Sequence, residues 1–170
     1  MTSIDTYSNY MASKKKRTGR SAALDLRDAY VALLGTADRA RRISGDTVEP
    51  YGITAQQYNV LRILRGAGPE GLPTLTIADR MIEQAPGMTR MIDRLEAKGL
   101  AARTRRPEDR RCVHCQITPK GLGLLAQLDK PVDEANKAAF AALDLQELAQ
   151  LVRLLDRVRM RHETGIRQKA

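Results

Sequence analysis

Arginine sets the chemistry available to this chain. Arg90 and Arg94 stand about one helical turn apart, and Arg110 and Arg111 stand side by side just beyond Pro107-Glu108-Asp109. A guanidinium presents a flat fork of donors that matches the acceptor edge of guanine in the major groove and, equally, the oxygens of a phosphate. Thr89 can bond a phosphate or touch a thymine methyl. The competing reading for Arg90 is an intrahelical pair with Asp93. Arg110 and Arg111 suit phosphate or a narrow minor groove, whose concentrated negative potential attracts arginine. Asp109 cannot favourably approach phosphate, so it reads as a structural residue that holds a neighbouring arginine and shapes the loop. Arg103, Arg105 and Arg106 read as a general positive surface.

The other reactive side chains offer less. In Cys112-Val113-His114-Cys115 the two thiols would point to opposite faces of a strand, so they cannot share a tetrahedral ion, and the only other histidine is His162. No metal and no cofactor is expected. Two cysteines three residues apart give no disulfide framework. They read as structural thiols, Cys115 in the core and Cys112 exposed, which leaves a redox-responsive role for Cys112 as an alternative. The chain shows no nucleophile elbow or phosphate-binding glycine loop, so an enzyme is not expected.

A short helix and a ribbon must position the arginines. Pro86 suits a first helical position in a helix opening at Ala85-Pro86-Gly87. Met88, Met91, Ile92 and Leu95 then follow the i, i+3, i+4, i+7 pattern of a helix lying on a core, which leaves Gly87, Thr89, Arg90, Asp93 and Arg94 outside. Lys98 and Gly99 mark the end of the helix. Residues 100–105 and 111–117 bracket a polar connection and predict an antiparallel hairpin, with Val113, Cys115 and Ile117 on its apolar face. Met81, Met88 and Met91 read as core fillers.

Five further helices are predicted. The first runs from 22 to about 43 with Leu26, Tyr30, Leu33, Leu34 and Ala37 on one face. The second follows a capping box of Thr54 and Gln57 and stops at Gly66-Ala67-Gly68-Pro69. A third spans about 76 to 82. A long one starts at Thr118-Pro119 and reaches toward Leu143, bent by Pro131. Asp144 and Glu147 open a last helix carrying Leu148, Leu151, Leu154, Leu155 and Val158. The first and last apolar faces lack a partner in the central region, and a second copy of the chain is the economical cover.

Basic charge is concentrated. Residues 85–121 hold nine basic against four acidic side chains, residues 1–20 hold five against one, and these excesses make up the whole formal charge of +9. Such a distribution implies a polyanion, because neutralised phosphates release counterions; no basic amphipathic helix accompanies it to suggest a membrane. The length of 170 residues suits one domain with one core, built from aliphatic residues since aromatics make up 4%. No apolar run or leader-like segment interrupts it, so a cytoplasmic protein is expected.

Three motifs in order resemble the MarR family of bacterial winged helix-turn-helix regulators. They are Ile53-Thr54-Ala55-Gln56-Gln57-Tyr58-Asn59-Val60-Leu61, the helix from Pro86 to Glu96, and the wing pattern from Asp109 through Arg111, Ile117 and Thr118 to Gly121. Where many relatives carry a glycine between the two helices of the motif, this chain has Ile82-Glu83-Gln84. The resemblance implies a mainly α fold with a small β-hairpin wing, a winged helix-turn-helix with N- and C-terminal dimerisation helices. It divides the chain into a disordered basic tail (1–21), an N-terminal dimerisation helix (22–46), a DNA-binding region (47–118), C-terminal dimerisation helices (119–164) and a tail (165–170). It implies a homodimer on a palindromic operator, most often a repressor, released when a small-molecule effector fills a cleft that Tyr30 and Tyr58 could line, although packing is the alternative for both. Pro86, Gly87, Thr89, Arg90, Arg94, Arg110 and Arg111 would contact DNA, with Arg111 entering the minor groove. A non-specific architectural DNA-binding protein is the competing function.

Overall fold

The structure, a computed structural model, describes residues 26–82, 87–105 and 113–166, with backbone alone at Arg105 and at 161–166. Its elements are α1 (Leu26–Val48), a 3-10 turn (Glu49–Tyr51), α2 (Ala55–Ala67), a second 3-10 turn (Gly68–Glu70), β1 (Leu72–Pro73), α3 (Thr74–Arg80), α4 (Met88–Ala97), β2 (Ala101–Arg105), β3 (Val113–Ile117), α5 (Pro119–Ala139) and α6 (Leu145–Ile166). They fall into two units, Met1–Ile43 and Ser44–Ala170.

The first unit is described from Leu26 and is helical throughout. Its predicted apolar face is open: Leu26 is 88% and Tyr30 63% exposed. An Arg42–Asp38 pair at 3.0 Å supports its outer surface. The helix outruns its expected end near Ile43 and closes only at Val48. Gly45 weakens a helix without ending it, and the fully buried Val48 anchors the last turn in the core of the second unit.

In the second unit α2 begins as predicted. Thr54 Oγ1 accepts from the Gln57 amide and Gln57 Oε1 from the Thr54 amide, each at 3.2 Å, and Val60, Leu61 and Leu64 are fully buried. Thr54→Ala should therefore lower stability by about 1 kcal/mol in a denaturant titration, the usual effect of losing such a cap. Helix α3 starts two residues earlier than expected, directly after Pro73, and ends at Arg80 because Met81 is extended. Its signal was poor because Ile77 is its one buried side chain.

The sheet is antiparallel in the order β1-β3-β2. The hairpin register pairs Ala101 with Ile117 and Arg105 with Val113. Strand β1, unforeseen, pairs Leu72 with Cys115 and Pro73 with His114; two residues are too few to show alternation. Gly71 makes this pairing possible: its φ is +63°, and a Cβ would sit 2.4 Å from the Cys115 carbonyl oxygen. Cys115 lies in the core as expected, its Sγ 3.6 Å from Thr74 Oγ1.

Helix α5 opens on the predicted Thr118 cap, with Thr118 Oγ1 accepting from the Gly121 amide at 3.1 Å, and runs unbroken through Pro131. It stops at Ala139, four residues short of Leu143, where the chain turns through a Leu143-to-Phe140 backbone bond of 3.0 Å. Arg65 clamps α2 to α5 through both Asp129 oxygens at 3.0 Å. Asp144 caps α6 by accepting the Gln146 and Glu147 amides at 2.7 and 2.9 Å. Along α6, Leu154, Leu155 and Val158 are exposed. Ile77, Ile92, Leu95, Leu125 and Leu128 meet without solvent contact and make the core the site stands on. Among the described residues, no helix is long and apolar enough to cross a membrane.

Candidate nucleic-acid interface

Helix α4 is the platform. Met88, Ile92 and Leu95 are buried, Met91 is half-buried, and Thr89, Arg90, Asp93 and Arg94 face outward, the division that the spacing predicted. The start differs. The helix opens at Met88 with Gly87 as its N-cap, and Gly87 has φ +90°, which glycine adopts without strain. The expected start at Ala85-Pro86-Gly87 is therefore too early; Pro86 itself lies outside the described residues. At the other end Gly99 has φ +68° and its amide reaches the Glu96 carbonyl at 2.7 Å. Lys98 Nζ donates to the Gly52 carbonyl, and Lys120 Nζ to the Lys98 carbonyl at 2.8 Å, which places the Lys120 ammonium at the negative end of the helix dipole.

The two acidic residues of α4, Asp93 and Glu96, converge on one arginine. Arg103, read from sequence as general positive surface, is a structural anchor instead: only 28% of its side chain is exposed. Its Nη1 lies 2.7 Å from Asp93 Oδ1 and also binds Glu96 Oε2. Its Nη2 donates to the Thr89 carbonyl at 3.3 Å, and its backbone amide to Glu96 Oε1 at 2.7 Å. The hydrogen bond that Arg103 donates to Asp93 is the main cause of an Arg103 pKa above the ordinary value. Asp93 is thereby committed to β2. The alternative intrahelical pair of Arg90 with Asp93 is not formed, and neither Arg90 nor Arg94 has an ion pair among the described residues. Two guanidinium groups without an ion pair among the described residues thus project from one face of a helix whose other face is core.

A concave surface of about 410 Å³ adjoins them, walled by Arg90 and Arg94 on one side and by Thr54, Ala55 and Gln56 at the start of α2 on the other. Gln56 is exposed there, between the two residues of the capping box. The sequence located the capping box but gave no sign that it faces α4.

Other expected site residues fall elsewhere or outside the described residues. Arg110, Arg111, Asp109, Arg106 and Cys112 lie outside the described residues. Tyr58 packs in the core at 9% exposure, its phenol pKa raised chiefly by burial, with the Arg62 guanidinium 5.8 Å from its ring centroid. Packing is its role. Tyr30 is exposed on the first unit. Among the described residues no group of three or more His, Cys, Asp or Glu side chains could hold a metal.

A short helix, a turn and a second helix whose outer face carries bare arginines, closed by an antiparallel ribbon, define a winged helix-turn-helix DNA-binding protein. The sequence profile of the MarR family matches residues 53–113. The multiple antibiotic resistance protein MarR of Salmonella typhimurium is 31% identical over 121 residues, covering 69% of this chain and 81% of that protein. A MarR transcription factor from Planctomyces limnophilus superposes with a TM-score of 0.62 at 43% identity, over 81% of this chain and 98% of that one. A cysteine-to-serine variant of MarR from Escherichia coli, solved with operator DNA, gives a TM-score of 0.69 at 26% identity over 79% and 99% of the two chains. The chain belongs to the MarR family, whose members are transcription regulators and not enzymes.

Proposed function

We propose that this chain represses transcription as a homodimer on a palindromic operator and leaves the DNA when a small organic molecule binds. The observation that carries the reading is the pair of exposed guanidinium groups, Arg90 and Arg94, on the outer face of α4, neither in an ion pair among the described residues. Arginine in that setting bonds guanine bidentately in the major groove. Gly87 and Thr89 approach the same groove from the N-terminal turn, and Pro86 precedes them. Arg110 and Arg111 contact the adjacent minor groove, with Asp109 holding the loop.

The exposed apolar residues of α1 and α6 support a two-fold dimer, because chains seldom leave such faces bare. Residues 22–46 and 119–164 then serve as dimerisation segments, 47–118 as the DNA-binding region, and 1–21 and 165–170 as tails. Two copies of α4 would meet successive major grooves about 34 Å apart. For the effector, a cavity of about 480 Å³ places Lys98 and Lys120 beside Ile53, Leu100 and Leu124. Ammonium groups over an aliphatic floor suit a small organic anion, and the site touches both the end of α4 and the start of α5. A ligand preferring one spacing of the two reading helices would shift the dimer away from its operator.

The test is binding of the full chain to the promoter region beside its own gene, against random duplex, with the mass measured by sedimentation. The expected result is a dimer that prefers its operator by about 10³ or more. Equal affinity for random DNA would establish the architectural function instead. Loss of binding with peroxide that Cys112→Ser prevents would assign release to oxidation.

A further inference from the structure

Arg103 spans the two parts of the motif that must act together. It sits on β2, opposite Cys115 in the sheet register, yet its polar contacts go to α4. They reach Thr89, Asp93 and Glu96, residues at i, i+4 and i+7 that form one stripe along the helix. One side chain thus touches every turn of α4, and the backbone amide of the same residue adds a bond to Glu96 at 2.7 Å.

Three consequences follow from that geometry. The stripe fixes the rotation of α4 about its own axis relative to the ribbon, since a rotation would separate Asp93 or Glu96 from the fork. It offsets one of the two negative charges of Asp93 and Glu96 and holds both carboxylates on a helix that would meet DNA, where free carboxylates would repel phosphate. It also removes Asp93 as an intrahelical partner for Arg90, one turn away. Both amino groups of the fork are already engaged by these three acceptors.

We propose that Arg103 is a positioning residue for sequence recognition: it sets the rotation of the reading helix and keeps Arg90 and Arg94 available, without touching DNA itself. The proposal rests on the DNA-reading function argued above, and lysine cannot replace the fork, because a point charge does not hold three acceptors in one plane.

The experiment compares wild type, Arg103→Gln, Arg103→Lys and the double variant Asp93→Asn/Glu96→Gln, which removes the same contacts from the helix side and leaves Arg103 in place. Each is measured on operator and random duplex across a salt series, together with amide hydrogen exchange along α4. Arg103→Gln is expected to lower the operator-to-random affinity ratio by roughly tenfold or more with an unchanged salt slope, since no phosphate contact is lost. Arg103→Lys should fall between it and wild type. The double variant should bind random duplex more tightly, having lost two negative charges, while its operator-to-random ratio falls as for Arg103→Gln; simple charge addition predicts no fall. Exchange along α4 should quicken about tenfold in Arg103→Gln and in the double variant, as expected when a local opening loses its tether. Equal loss on both duplexes with a salt slope reduced by about 1 would make Arg103 a phosphate contact and overturn the proposal. An unchanged ratio in the double variant would overturn it too. A wild type with no operator preference would defeat the DNA-reading function, while unaltered exchange would separately defeat the tether.

Discussion

Arg90→Ala/Arg94→Ala should abolish operator recognition while leaving the protein folded. Each bidentate arginine–guanine contact contributes about 1–3 kcal/mol, so the pair contributes about 2–6 kcal/mol, or roughly 30- to 20,000-fold in affinity. Both side chains are exposed and neither has an ion pair among the described residues. Their removal therefore breaks no fold contact, and it relieves a like-charge repulsion across one helical turn. Thermal unfolding should shift little. The variant still carries the rest of the basic surface, so binding to random duplex should weaken far less than binding to operator. Arg111→Ala gives the contrast: a wing arginine on sugar or phosphate should weaken both duplexes together and reduce the salt slope by about 1. A salt titration of both variants on both duplexes separates the two roles, and equal losses on operator and random DNA for the helix pair would end the base-reading assignment.

The helices that bury a regular apolar stripe were legible because periodicity records burial. Met88, Ile92 and Leu95 of α4 and Tyr58, Leu61 and Leu64 of α2 occupy the core positions their spacing implies. The caps at Thr54, Thr118 and Asp144 were legible because each bond is local. What was lost is non-local. Strand β1 is specified by its partner β3, forty residues away in sequence, and by a glycine that lets the two backbones approach. Arg103 looked like surface charge because nothing in its neighbours announces that Asp93 and Glu96 lie across a turn from it. The wall of the concave surface formed by Thr54 and Gln56 was hidden for the same reason. Helix ends erred where no side chain caps them: Met81 closes α3 in an extended conformation, its amide bonding the Ala78 carbonyl at 3.2 Å.

Gly121→Ala should be the most damaging single methyl group in the described part of α5, and Gly123→Ala, two residues on, should act in the opposite direction. A Cβ at Gly121 would lie 2.3 Å from the Leu100 carbonyl oxygen and 2.8 Å from Ile117 Cγ1. The first atom is backbone and is already committed, since Leu100 O accepts from the Thr118 amide at 3.1 Å. Relief requires the helix start and the ribbon to part, which breaks that bond and shifts the Thr118 cap on the Gly121 amide. Overpacking with backbone displacement costs about 1–3 kcal/mol and sometimes more, and the loss of a cap adds about 1 kcal/mol. Gly123 lies in the same helix, exposed, with nothing within 4 Å of its Cβ position. Alanine there gains the helix propensity that glycine lacks, about 0.5–1 kcal/mol. Denaturant unfolding at one fixed protein concentration should therefore lower the midpoint for Gly121→Ala and raise it for Gly123→Ala. Because the displaced contact joins the ribbon to α5, the Gly121 variant should also lose operator affinity at temperatures where it remains folded. Equal stabilities for the two variants would show that the approach of Leu100 to α5 is not as close as the structure gives it.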